Sequence, residues 1–222
     1  MAGKFITFEG GEGAGKSTQA ALLAQRLSAM GIGVLVTREP GGSPGAEIIR
    51  HVLLSGAAKR LGPNAEALLF AAARADHLDT VIKPALGSGR WVICDRFLDS
   101  TRVYQGIVGK VDLPFIKGLE KLTVGASKPD LTFILDLPAE IGLARAHARR
   151  AEATPDRFET EDLAYHQELN AAFRAIAREE KQRCVLIDAN QPQERVAAEI
   201  LQLVCKRLHP ETAPLMLEEI GR

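Results

Sequence analysis

Residues Gly10-Gly11-Glu12-Gly13-Ala14-Gly15-Lys16-Ser17 follow directly on the apolar run Phe5-Ile6-Thr7-Phe8 and lead into an Ala- and Leu-rich stretch from Gln19 to Met30. Strand, glycine-rich turn, helix: in that order the pattern is a P-loop, and it constrains this chain more than any other feature. The glycines let backbone N–H groups turn inward around a phosphate chain. Lys16 reaches the β- and γ-phosphates, and the Ser17 hydroxyl is a Mg²⁺ ligand. The following helix points its partial positive end at the same anion. Gly10 to Gly15 with Lys16, Ser17 and Thr18 are therefore read as the site of a nucleoside triphosphate.

The rest of the chain repeats the alternation. Short apolar runs at 4–9, 34–37, 91–94, 131–136 and 184–188 predict strands. Between and after them, helical patterns cover 16–30, 46–54, 65–86, 116–125, 139–148, 160–182 and 194–208. Strands that are apolar throughout, separated by helices, predict an α/β fold with a parallel sheet covered on both faces. Right-handed crossovers bring the strand C-terminal ends to one edge. With no repeat or linker, residues 1–208 are expected to form one domain, followed by a loosely attached tail at 209–222.

Composition narrows the function classes. The 28 basic and 28 acidic residues leave no net field to attract a polyanion, so nucleic acid is not the expected partner. The first strand begins within four residues of the N-terminus, which leaves no room for a signal peptide. No stretch reaches the length of a membrane span. Cys94, Cys184 and Cys205 are too widely spaced for a zinc motif and read as buried thiols. The expectation is a soluble, cytoplasmic chain with no membrane partner.

The edge where the strands end carries the chemistry. Arg38 and Arg96 fall just beyond two neighbouring strands, and Arg74 lies on the long helix between them. Guanidinium forks match phosphate oxygens, so the three together point to a second, phosphorylated substrate facing the nucleotide. Asp95 closes the run Trp91-Val92-Ile93-Cys94 as a Walker-B-type acid does, and with Ser17 it is the expected Mg²⁺ site. Asp136 ends a similar run, where a capping or loop-ordering role stands beside a metal role. The arginine-dense segment Arg145-Ala146-His147-Ala148-Arg149-Arg150, continuing to Arg157, reads as a lid at about 145–157. Phosphoryl transfer depends on positioned charge, and a supplied arginine is worth about 10³–10⁵ in rate. The loop itself has no arginine.

Several further elements complete a resemblance: Thr37-Arg38-Glu39-Pro40-Gly41-Gly42, Asp95-Arg96-Phe97, Ser100-Thr101 with Tyr104-Gln105-Gly106, Lys128-Pro129-Asp130-Leu131, and Asp156-Arg157-Phe158-Glu159. Together with the P-loop they resemble the bacterial thymidylate (dTMP) kinases, in order over residues 4 to about 190. The resemblance implies a five-stranded parallel sheet and a homodimer formed through helix packing. It implies ATP and Mg²⁺ as donor and metal, dTMP as acceptor, and a place in dTTP synthesis. Under it, Arg38, Arg74 and Arg96 hold the 5′-phosphate, with Arg74 also within reach of the thymine, on which Phe70 stacks. Ser100, Thr101 and Gln105 bond the base or order its pocket, Tyr104 crowds the 2′ position, and Glu12 approaches the 3′-hydroxyl and the metal. Glu159 would order magnesium waters. Some members carry an arginine at the position of Gly13; this chain resembles those that leave it neutral, which assigns catalytic charge to Arg149 and Arg145, with Arg150 and Arg157 in competition, beside Lys16, Asp95 and Arg96.

Three other classes fit less well. A GTPase switch needs an Asn/Thr-Lys-x-Asp element, which Lys128-Pro129-Asp130 lacks. A nucleoside kinase phosphorylates an uncharged hydroxyl and has no use for three acceptor-side arginines. A DNA-assembling partition ATPase expects a basic surface.

Overall fold

The computed structural model describes residues 2–149, 158 and 161–209. Five strands, β1 Phe5–Gly10, β2 Val34–Arg38, β3 Trp91–Asp95, β4 Leu131–Asp136 and β5 Cys184–Asp188, form one sheet in the order β2-β3-β1-β4-β5. Every pairing is parallel. The apolar P-loop strand lies at the centre, and all six of its residues are buried.

Side-chain alternation along β1 decides what each face holds. Ile6 and Phe8 pack with Phe133 and Leu135 of β4 against Leu23 and Leu27 of α1 (Lys16–Ala29). Phe5 faces the other way, edge-on to Phe97 with ring centroids 4.9 Å apart, in a cluster with Leu78 and Ile82. Each fully buried leucine or phenylalanine contributes about 1.5–3 kcal/mol. Glu9 falls on this second face and is buried, which has consequences developed below.

Helices α2 (Pro44–Leu54) and α3 (Pro63–His77) pack side by side over the sheet edge near β2. Ser43 caps α2, accepting from the Ala46 N–H at 3.4 Å, with Pro44 in the first turn. That cap starts the helix two residues before the apolar pattern does. The expected 65–86 helix is divided: α3 continues through a widened π turn, Leu78–Ile82, into α4 (Lys83–Gly87). Pro84 has no N–H to give the carbonyl one turn back, and the ladder widens just before it.

Beyond β3, a one-turn helix α5 (Leu98–Thr101) runs into a second widened stretch, Arg102–Val108, and then α6 (Leu113–Thr123). Sequence periodicity gave no sign of α5 or of that stretch. The last three helices are α7 (Ala139–Arg149), α8 (Leu163–Glu179) and α9 (Gln193–Leu208). Asp162 caps α8, accepting from the Tyr165 N–H at 2.8 Å, which sets its start. The lid residues 150–157 and the tail 210–222 lie outside the described residues.

Candidate active site

The sheet register builds the site. Arg38 of β2, Asp95 of β3 and Phe8 of β1 sit side by side across three strands, just before the P-loop leaves β1. At the start of α1 no side chain caps the helix, so its first N–H groups are left for an anion. The Lys16 ammonium donates to the Gly11 carbonyl at 2.7 Å and the Gly10 carbonyl at 3.1 Å. Burial, with Arg96 adding to it, pushes Lys16 down to about 8, against the pull of Glu12, Asp95 and Glu9. The Ser17 hydroxyl donates to the Asp95 carboxylate. A hydroxyl and a carboxylate facing each other at the mouth of a phosphate loop are hard oxygen donors of the kind Mg²⁺ takes together with substrate phosphates.

The loop touches α7 directly. Gly13 has φ of 66°, and a Cβ there would collide with the Gly142 carbonyl; a Cβ on Gly142 would collide with the Glu12 carbonyl. No side chain fits at position 13 without moving α7 off the loop. This is the physical counterpart of a loop with no arginine.

Each of the three arginines expected to face an acceptor is held by a glutamate. Arg38, with 55% of its side chain exposed, pairs with Glu47 at 3.0 Å. An exposed pair of this kind is worth little and is readily exchanged. Arg96 has left-handed backbone, φ of 68°, and donates to Glu12 at 3.0 Å and to Ser100 Oγ and the Gly10 carbonyl at 3.3 Å. Its guanidinium lies 5.1 Å over the Tyr104 ring. Burial works against its charge, but Tyr104, Glu12, Asp95 and Glu9 together outweigh burial and raise its pKa. Arg74 is the buried one, bound to Glu39 at 2.8 Å and to the Phe97 carbonyl at 2.9 Å.

One cavity of about 290 Å³ joins these groups. Glu12, Gly13, Gly15, Lys16, Ser17 and Thr18 line its P-loop end; Asp95 and Arg96 line the middle. Arg38, Phe70, Arg74, Ser100, Thr101, Tyr104 and Gln105 line the rest. The Thr101 hydroxyl is buried there and has no hydrogen-bond partner among the described residues, while the Gln105 amide donates to Glu66 at 2.9 Å. Gly10, Gly11 and Ala14 shape the loop but do not line the cavity. Arg145 is also absent from the lining and points at the Ala189 carbonyl, 3.5 Å away. The Arg149 side chain, Arg150, Arg157 and Glu159 lie outside the described residues. Asp136 is paired with Arg174 at 2.9 Å, in keeping with its structural reading.

Sequence reasoning gave no site role to several lining residues: Arg50 and Leu54, and Glu39, Pro40, Phe97 and Phe158, which stand inside the quoted motifs. Arg50 donates to the Pro40 carbonyl at 2.5 Å. A signal existed in the spacing of Glu47 and Arg50, which puts both on the α2 face that the glycine turn 41–42 folds against. Phe158 stands with its ring centroid 6.4 Å from Phe70 and 5.4 Å from Tyr104. Nothing in its sequence neighbourhood announces that it reaches so far.

Comparison with known proteins gives a consistent result. A family model described as thymidylate kinase matches residues 8–200. A thymidylate kinase of Bradyrhizobium diazoefficiens is 60% identical over 214 residues, covering 96% of this chain and 94% of that one. One of Nitrobacter winogradskyi is 62% identical over 198 residues, covering 89% of this chain and 86% of its own length. Among solved structures, thymidylate kinase from Ehrlichia chaffeensis superposes with a TM-score of 0.73 at 34% identity, covering 92% of this chain and 99% of that one.

Proposed function

The chain belongs to the thymidylate kinase family, and from that premise we propose that the cavity beside the P-loop holds the ATP phosphates at the loop and dTMP at the arginine end. The enzyme transfers the γ-phosphoryl group of ATP to dTMP, giving ADP and dTDP. The observation that carries the residue assignment is the continuity of the cavity from Lys16 and Ser17 to Phe70 and Gln105. A donor and an acceptor laid along it meet beside Asp95 and Arg96.

The roles follow from the chemistry. The acceptor phosphate already bears its nucleophilic oxygen, so positioning and charge stabilisation are what the site must supply. Arg38 and Arg96 hold that phosphate, Arg38 by exchanging Glu47 for it. Phe70 stacks the thymine, with Arg74, Ser100, Thr101 and Gln105 around its edge. Tyr104 crowds the 2′ position while supporting Arg96, and Glu12 approaches the 3′-hydroxyl. The loop N–H groups and Lys16 hold the donor phosphates. Ser17 and Asp95 would hold Mg²⁺, which would offset the charge of the donor phosphates. With position 13 closed to a side chain, we assign the remaining cationic charge to Arg149 and Arg145; Arg145 would have to leave the Ala189 carbonyl to supply it.

The working unit is one kinase domain of residues 1–208 that forms a homodimer. The support for a dimer is the apolar surface on adjacent helices: Ile48 and Val52 of α2 and Leu68 of α3 are exposed, Ile48 to 71%. Among the described residues no helix is long and apolar enough to cross a membrane. We place the reaction in the cytoplasm, a reducing compartment in which three buried free thiols persist. Calorimetric titration tests the acceptor assignment. dTMP is expected to bind at least about 100-fold more tightly than thymidine, the margin of two charge-assisted phosphate contacts. Equal affinities would remove Arg38 and Arg96 from the acceptor site.

A further inference from the structure

Of the three acceptor-side arginines, Arg74 alone has no freedom to swing. Only 5% of its side chain is exposed, against 55% for Arg38 and 19% for Arg96. Its Nε donates to Glu39 Oε2 at 2.8 Å and an Nη to the Phe97 carbonyl at 2.9 Å, with the guanidinium 5.1 Å over the Phe97 ring. The other Glu39 oxygen faces His77 Nδ1 at 3.1 Å, and His77 Nε2 lies 2.7 Å from Thr37 Oγ1. Glu39 and His77 are both buried, His77 completely. Behind them Gly42, with φ of 86°, closes the chain: a side chain there would collide with His77 Nε2 and Thr37 Oγ1.

A carboxylate only accepts, so His77 Nδ1 donates to Glu39, while Nε2 and the Thr37 hydroxyl share a hydrogen bond at the other end of the ring. Glu39 is thereby anchored on one side and grips Arg74 on the other. Two of the five guanidinium N–H groups are consumed by protein, which leaves three for a ligand in the cavity. Glu39 also neutralises Arg74 at close range. Glu47 and Glu12 pair with Arg38 and Arg96 as well, but the Arg74 pair is the buried one and does not exchange for a phosphate, which suits Arg74 to donate to an uncharged carbonyl.

We propose that Glu39 is a positioning residue for base recognition: braced by His77 and Thr37, it fixes Arg74 so that its remaining N–H groups meet the edge of a ring stacked on Phe70, one helical turn earlier on α3. The arrangement selects a pyrimidine that presents a carbonyl there and rejects one that presents an amino group. This rests on the dTMP reading of the cavity and deepens it by naming what holds Arg74 in place for the base. A site built to donate hydrogen bonds loses much of its binding to a ring that offers a donor instead.

The test compares wild type, Glu39→Gln and Thr37→Val by steady-state kinetics with ATP, dTMP and dCMP, after thermal melts confirm that each is folded. Glu39→Gln keeps the shape but returns a full charge to Arg74 and offers His77 an amide N–H in place of a carboxylate oxygen. The expected result is a dTMP KM raised by about tenfold or more, an ATP KM within about twofold, and a dTMP-over-dCMP preference that falls by about tenfold. Thr37→Val, at the far end of the chain, moves the same quantities in the same direction by a smaller factor. It carries the test alone should Glu39→Gln melt below the assay temperature. A variant that raises both KM values together, or lowers kcat with the dTMP-over-dCMP preference intact, would overturn the proposal. A wild-type enzyme that does not turn over dTMP would instead overturn the reading beneath it.

Discussion

Replacing Glu9 by glutamine tests how the centre of this sheet stores electrostatic cost. Glu9 is fully buried on β1, where its Oε1 accepts from the Phe97 N–H at 2.8 Å and the Ser100 N–H at 3.2 Å, and its Oε2 from the Ser100 hydroxyl at 2.6 Å. Burial, reinforced by the charge of Asp99, pushes the carboxyl up from 4.5 to about 7, although Ser100, Arg96 and the Phe97 N–H all favour the ionised form. Between pH 4.5 and 7 the folded protein therefore binds a proton at Glu9 that the unfolded chain has released. Stability from this group is fully present below pH 4.5 and is lost as pH rises to 7, by about 3 kcal/mol. Glutamine keeps the shape, accepts the two backbone N–H groups through its oxygen and donates to Ser100 through its nitrogen, but does not titrate. Urea melts followed by circular dichroism at pH 5, 6, 7 and 8 read the difference between the two proteins. Glu9→Gln is expected to gain on wild type across that range by about 3 kcal/mol, which for a chain of this size is about 6–12 °C in Tm. Two stability curves that run parallel from pH 5 to 8 would refute the reasoning.

Other consequences are as direct. Gly13→Arg forces a side chain against the Gly142 carbonyl, so the ATP KM is expected to rise by about tenfold or more; an unchanged ATP KM would mean that α7 yields freely. Arg183 gives Asp99, a fully buried carboxylate, two hydrogen bonds at 2.7 and 2.8 Å, and Arg102 gives a third at 3.2 Å. Arg183→Met leaves that charge short of partners at a cost of about 3 kcal/mol in urea melts, and a loss below about 1 kcal/mol would show that Arg102 suffices. Tyr104→Ala is expected both to relax the preference for deoxyribose over ribose acceptors and to raise the dTMP KM, because the ring also supports Arg96; unchanged discrimination would clear Tyr104 of the sugar.

Much of this architecture was legible in the sequence because its signals are local. The five strands are unbroken apolar runs bounded by loops, and the P-loop is contiguous, so both were readable without knowing what packs on what. The helix expected over 65–86 was legible in extent but not in its widened turn, since apolar spacing continues through Leu78 and Ile82 while the backbone adjusts to Pro84. The stretch Leu98–Val108 gave no helical signal because a one-turn helix followed by a wider turn has no 3.6-residue period to display. At the site, residue types pointed to chemistry but not to partners. Arg38, Arg74 and Arg96 were readable as cations gathered at one edge of the sheet, yet that each is held by a glutamate was not. Glu39 meets residues 35 and 38 positions away, and Arg96 meets Glu12 across 84. Such pairings belong to the crossover connections and register of the sheet, not to any spacing along the chain.

The account stands or falls on one cavity accepting a nucleoside monophosphate opposite ATP. ADP release measured with ATP–Mg²⁺ and dTMP, dUMP or thymidine as acceptor tests that most directly. Turnover is expected to be fast on dTMP and absent on thymidine, which lacks the phosphate that Arg38 and Arg96 hold. On dUMP it should be lower in kcat/KM by about 10–200-fold, the worth of one methyl in an apolar pocket. Thymidine turned over as well as dTMP would contradict the account, leaving the P-loop in place and the acceptor arginines without their substrate.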